Sequence, residues 1–415
     1  MAERAPSPIR NALAAPRFRR LFIANTISRW GDTFNAVALV ILVFRLTGSG
    51  IKVAGTVAFE IVPVILLGFV AGYVVDRFHR TQVMVAADLG RAAIAFGLAF
   101  AHGQLWFIYA AAFGFSSLSV FFNPAASSVI PALVEEDDVV GANSALWSAA
   151  VISQIVLAPL AGALVAFAGP GPAFAINGAS FVMSAVLLTR LKIPRPAEVP
   201  RTSWHQVTEG LRVVRASRFL SVLTGVQAIA ALSAGATSAL LVVLAEDHLR
   251  VGPTHFGFLL AAIGIGAAAG PLLLQRLTRE VRTPLFLFGP YLLRGTVDLG
   301  LAASSSFVFA VPLLGAYGIG TSTGMIAYNS ALQSNVADSV RGRIFAFYDV
   351  VWQSSRLLSI GIGGFLADQL GITVVYALGG ALLLCAGALG MIGLSSKQLQ
   401  SPIGPTKVDS SRMNS

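Results

Sequence analysis

Gly72-Tyr-Val-Val-Asp76-Arg77-Phe-His79-Arg80 is a compact run of glycine, acid and arginines set between two long apolar stretches. Charged side chains are costly in hydrocarbon, so the run reads as a water-facing turn between two buried helices. The rest of the chain agrees. Of its 415 residues 55% are hydrophobic and only 12% charged, where a soluble domain carries roughly 25% charged residues. A soluble protein this apolar would expose large sticky patches, so the composition points to an all-α polytopic membrane protein. The net charge of +10 does not mark a nucleic-acid binder, because the basic residues fall in the gaps between apolar segments rather than on one face.

A helix needs about 20 residues to cross the hydrocarbon. By that ruler the chain holds twelve spans, near 20–45, 52–75, 83–102, 105–131, 141–168, 172–191, 219–245, 254–275, 284–303, 306–333, 344–368 and 372–395. With the N-terminus inside, 22 of the 29 lysines and arginines fall on the cytoplasmic side. Only Arg45, Lys52 and Arg250 fall outside, while Arg29, Arg91, Arg294 and Arg356 lie within spans. This positive-inside bias predicts an inner (plasma) membrane protein with both termini in the cytoplasm. The single cysteine, Cys385, forms no disulfide within the chain and is expected to pack in an apolar run.

The organisation expected is a cytoplasmic segment 1–19, a six-helix bundle 20–191, a cytoplasmic linker 192–218, a second bundle 219–396 and a cytoplasmic tail 397–415. Within the linker, Trp204 to Arg218 reads either as a basic amphipathic helix on the inner leaflet or as a plain positive-inside connection. The halves echo each other in order. Gly270 to Arg279 answers Gly72 to Arg80, Leu292-Leu-Arg294 answers Leu89-Gly-Arg91, and Asn329 answers Asn123. Such ordered matches are the mark of a duplicated bundle.

Twelve spans in two halves, with Gly72-x-x-x-Asp76-Arg77-x-x-Arg80 between spans two and three, resemble the major facilitator superfamily. Arg17-Phe-Arg-Arg-Leu-Phe22, Ser28-Arg-Trp-Gly31-Asp32, Ala87-Asp88-Leu-Gly-Arg91, Phe122-Asn-Pro124-Ala and Val340-Arg341-Gly342-Arg343 are similar to its drug- and siderophore-exporter branch, which includes macrolide-efflux and enterobactin-exporter-like proteins. The chain departs from the family pattern in places. His79 stands where the turn usually has glycine, the second-half turn has Leu274-Gln275 in place of its acid, and span four lacks the arginine of many drug–proton antiporters. The resemblance implies two bundles moving alternately around a cavity, and export of a small lipophilic or amphipathic compound by proton antiport. The alternative is a facilitator or importer of a lipid or nutrient. It also implies that Gly72, Asp76, Arg77 and Arg80, with Arg341 and Arg343, form a cytoplasmic gate.

Ionisable groups inside a bilayer usually face a cavity or a partner. Asp32, with Arg29 one turn before it, and Glu60 are therefore the proton-coupling candidates; the bland reading of the first two is a static ion pair. Asp88 with Arg91, and Arg294 with Asp298, have helix-pair spacing and read as structural pairs. Arg356, Gln353, Asn123, Gln154, Gln227, Tyr328 and Asn329 are the cavity candidates. Glu135-Glu-Asp-Asp138 reads as a helix N-cap, or as a latch to basic loops. The scattered histidines have no metal spacing, no nucleophile motif is present, and neither an enzyme activity nor a cofactor is expected. The partners expected are a small-molecule substrate, protons and membrane lipids, for a monomer.

Overall fold

The computed structural model describes residues 8–100, 103–191, 211–215, 217–277, 283–336 and 338–394. Among them the structure is helical, without a strand. A short helix, Pro8–Ala14, precedes twelve long ones. These are α1 (Pro16–Thr47), α2 (Gly50–Arg77), α3 (Arg80–Phe100), α4 (Leu105–Val129), α5 (Val139–Ala168) and α6 (Gly171–Thr189), followed by α7 (Arg218–Ala239), α8 (Pro253–Leu277), α9 (Pro284–Ala303), α10 (Phe307–Asn335), α11 (Asp338–Leu370) and α12 (Ile372–Gly393). Eleven are long and apolar enough to cross a membrane. The exception is α11, 33 residues long, whose middle carries Gln353, Ser354, Ser355 and Arg356. Most of the linker 192–218, residues 1–7 and the tail 397–415 lie outside the described residues; within the linker, 211–215 are helical.

The helix ends follow from local chemistry. Gly48, Gly169 and Gly371 close or open helices at φ of 59°, 77° and 88°, a region in which a Cβ is strained. Thr283 caps α9 by accepting the Phe286 amide, 3.2 Å. The acids at 135–138 stand at the start of α5: Asp138 holds its N-cap position and Glu136–Asp138 form a 3₁₀ turn ahead of it, though none gives the helix a side-chain cap hydrogen bond.

Large apolar side chains stand on the outside, Phe167 at 95% and Ile392 at 82% exposure. In water such a surface would aggregate; against lipid tails it costs nothing. Cys385 belongs to this exterior rather than to the packing expected of it. The inward stripe of α12 is Leu383, Ala386, Gly387 and Gly390, which turns residue 385 away.

The chain divides into two compact units, Met1–Thr202 with Ala245–Gly264, and Ser203–Leu244 with Ile265–Ser415. Their internal packing repeats with an offset of six helices. In the first unit α1 packs on α5 and α6, and α3 on α4 and α6; in the second α7 packs on α11 and α12, and α9 on α10 and α12. Small residues allow the close approaches. A Cβ at Gly31 would lie 2.9 Å from Asn177 Cα on α6, and one at Gly235 would lie 2.7 Å from the Arg356 carbonyl. Gly266 and Gly270, four apart on α8, bring that helix onto Gly315 and Ser322 of α10.

Candidate functional site

In the first unit the charges gather around α1, α3 and α6. Asp88 is fully buried on α3 and Arg91 is 4% exposed. The two pair directly, and Ser184 of α6 donates to the other Asp88 oxygen at 2.7 Å. The Arg91 guanidinium lies between two rings, 4.3 Å from the centre of Phe122 on α4 and 4.4 Å from that of Phe181 on α6. The expected structural pair is thus closed and sandwiched, which suits a planar cation taken out of water. Asp32 lies half-buried at the middle of α1 and interacts electrostatically with Arg91, Arg29 and Asp88. It forms no ion pair among the described residues. Arg29 is exposed, so a static Arg29–Asp32 lock is not what the structure contains. Glu60 is half-buried on α2, where its backbone carbonyl accepts from the Ser116 hydroxyl of α4.

The turn at the end of α2 is exposed at Gly72, Asp76 and Arg77. Arg77 donates to the Tyr73 hydroxyl at 3.0 Å, and Arg80 to the Ser128 carbonyl at 2.8 Å, tying the start of α3 to the end of α4. Val74, Phe78, Gln82, Leu118 and Phe121 line an apolar cleft of about 330 Å³ beside it. Asn123, a cavity candidate, is exposed, and Gln154 is half-buried on α5.

In the second unit Gln227 and Tyr328 come together in an aromatic cluster. Tyr291 donates to Gln227 Oε1 at 2.6 Å, and the Tyr328 and Tyr348 rings meet edge to face at 5.6 Å. Tyr348 in turn donates to the Leu220 carbonyl at 2.9 Å. Asn329 is turned back onto its own helix, donating to the Met325 carbonyl at 2.9 Å. Gln353 and Arg356 are half-buried on α11. Arg341 donates to the carbonyls of Gln333 and Val336 at 2.9 and 3.0 Å, which satisfies the open end of α10; Arg343 is half-buried beside it in sequence.

The second pair expected from the sequence does not close. Arg294 donates to the Tyr317 hydroxyl instead, and Asp298 is buried without a hydrogen-bond partner among the described residues, although Arg294 still acts on it electrostatically. Sequence spacing missed two further features. One is this opened pair. The other is an ion pair from the last turn of α1, Arg45 to Glu246 at 3.2 Å, in which Glu246 sits on a π-turn, Leu244–His248, that hydropathy does not reveal.

The family model described as transmembrane secretion effector, a major facilitator type, matches residues 7–401. The chain belongs to that family. It is a polytopic membrane transporter rather than an enzyme. Among its relatives, the uncharacterized MFS-type transporter YfiS of Bacillus subtilis is 27% identical, over 90% of this chain and 92% of that protein. Macrolide efflux protein A of Streptococcus pyogenes is 22% identical, over 89% and 94%. In fold the transporter resembles the nucleoside transporter NupG, at TM-score 0.77 and 11% identity over 91% of this chain and 100% of that one. It also resembles a bacterial homologue of the iron transporter ferroportin, at TM-score 0.73 and 18% identity over 93% and 99%. The transporter therefore has the major facilitator fold, and relatives of it are named for efflux.

Proposed function

We propose that this transporter exports a small lipophilic or amphipathic compound from the cytoplasm across the inner (plasma) membrane, driven by proton entry, as a monomer with both termini inside. The observation that carries the reading is Asp32. It lies half-buried at the middle of a membrane span, while the neighbouring buried cation, Arg91, is already taken by Asp88. A carboxyl in that position can exchange a proton without breaking an ion pair. Kinship with a macrolide efflux protein supports the outward direction and the amphipathic class of cargo.

In this reading Asp32 and Glu60 take up the proton, and Arg29 adjusts the field at Asp32. Gln227, Tyr328, Asn329, Gln353 and Arg356, with Asn123 and Gln154, serve the substrate path of two alternating bundles. Gly72, Asp76, Arg77 and Arg80, with Arg341 and Arg343, form the cytoplasmic gate. The test is efflux in a deletion strain complemented with Asp32→Asn or Glu60→Gln, assayed against amphipathic drugs. Loss of pH-gradient-driven efflux in at least one variant supports the reading. Intact coupled efflux in both would sink it, and flux indifferent to the gradient in the parent protein would make it a facilitator.

A further inference from the structure

Arg294 and Asp298 stand four residues apart on α9, the spacing at which an arginine and a carboxylate on one helix ordinarily meet. They do not meet. The Arg294 guanidinium lies 4.7 Å from the centre of the Tyr317 ring on α10, and Nη2 donates to the Tyr317 hydroxyl at 2.9 Å. Asp298 is 0% exposed, and neither of its carboxylate oxygens has a hydrogen-bond partner among the described residues. From α12, Tyr376 faces the carboxyl, but its hydroxyl is committed to the Thr237 carbonyl at 2.6 Å. Gly379 of the same helix leaves a niche in which Asp298 Oδ2 and Ser233 Oγ lie 3.7 and 3.2 Å from where a Cβ would be. The Ser233 oxygen, from α7, is likewise buried without a partner. The titratable and charged groups around the carboxyl are therefore Arg294 on its own helix, Tyr317 from α10 and Tyr376 from α12; α7 brings only the hydroxyls of Ser233 and Thr237.

The first unit shows what a settled pair looks like: Asp88 accepts from both Arg91 and Ser184. An ionised carboxylate buried with no donor at all is prohibitively expensive, so such a group is held neutral. We propose that Asp298 is a proton-binding site of the second unit, occupied in the arrangement seen here, with Arg294 as a two-position counter-ion. When the carboxyl O–H bond breaks, the proton passes to water and the Arg294 guanidinium moves from the Tyr317 hydroxyl onto the carboxylate. When a proton returns, Arg294 returns to Tyr317. The charge of the unit thus changes by one at a residue outside those assigned to proton uptake above. The inference rests on the proton-coupled reading only in taking the proton as the exchanged ion.

The test is infrared difference spectroscopy of the purified full-length transporter in detergent, following the carbonyl stretch of a protonated carboxyl group as pH is raised. The wild type should show such a band at neutral pH, and Asp298→Asn should remove the component that belongs to this carboxyl. Tyr317→Phe takes away the alternative hydroxyl partner of Arg294 and should lower the proton affinity of the band by about tenfold or more, while leaving the fold intact. A band absent from the wild type, unchanged in Asp298→Asn, or titrating identically in Tyr317→Phe overturns the proposal. Displacement of the band by sodium chloride at constant pH would overturn it in favour of a metal-cation site. The two readings fail separately. Intact gradient-driven flux in Asp32→Asn and Glu60→Gln removes the role given to those acids and leaves the Asp298 band untouched. Absence of the Asp298-dependent part of the band, with a protonated-carboxyl signal remaining, leaves the Asp32 reading standing.

Discussion

At the scale of single residues, the two acids of the first unit are expected to part company on mutation. Asp88→Asn leaves Arg91 buried between Phe122 and Phe181 with its counter-charge gone. Breaking a buried pair on one side costs about 3–5 kcal/mol, so thermal unfolding in detergent should show a marked drop in midpoint. Asp32→Asn breaks no ion pair among the described residues, and its unfolding midpoint should fall clearly less than that of Asp88→Asn while coupled efflux falls. The Arg45–Glu246 pair gives a pH-dependent counterpart. Burial is the larger influence on Glu246 and pushes its carboxyl above the ordinary range, with Asp247 adding to this and Arg45 opposing it. A raised folded-state value means that the folded protein binds this proton more readily than the unfolded chain. The stabilisation from this group is thus present at low pH and is lost as pH rises through the folded value. Arg45 offsets that loss only while Glu246 is ionised. Arg45→Gln should therefore lower the unfolding midpoint near neutral pH, by about 1 kcal/mol or less since Arg45 is half exposed, and leave it unchanged in acid.

At the scale of elements, the glycines that seat α8 on α10 are the sensitive ones. Gly270→Leu would drive a side chain into Ser322, and overpacking of this kind costs about 1–3 kcal/mol. Gly68→Leu, with nothing within 4 Å, should be silent in the same melting assay. The elements themselves were legible from length, hydropathy and arginine placement, because the bilayer fixes how long an apolar helix must be. α11 was legible as a helix although its polar middle weakens its claim to be a span. Pair spacing was half informative. It found Asp88–Arg91, and it could not tell that Arg294 turns to Tyr317, because i,i+4 spacing says which side chains can meet on one helix and nothing about a competitor 23 residues away on another. The π-turn carrying Glu246 escaped for a related reason, since its partner Arg45 is 201 positions distant. Cys385 was misjudged because an apolar run in a membrane helix has two apolar faces, and only packing separates them.

At the scale of the whole molecule, two units with the same internal packing order carry unequal charged centres, one closed at Asp88–Arg91 and one open at Asp298. In the proposed reading a transporter that couples proton entry to export needs a group whose charge changes during the cycle, and Asp32, which forms no ion pair among the described residues, is assigned that role. The most direct measurement is accumulation of a panel of labelled amphipathic compounds by everted membrane vesicles containing the transporter, with an acid-inside pH gradient imposed. The account predicts uptake that collapses with a protonophore and whose rate is reduced at least about tenfold, close to 1.4 kcal/mol of barrier, in Asp32→Asn. Uptake that persists without the gradient, or that is undiminished in Asp32→Asn and Glu60→Gln alike, would contradict it.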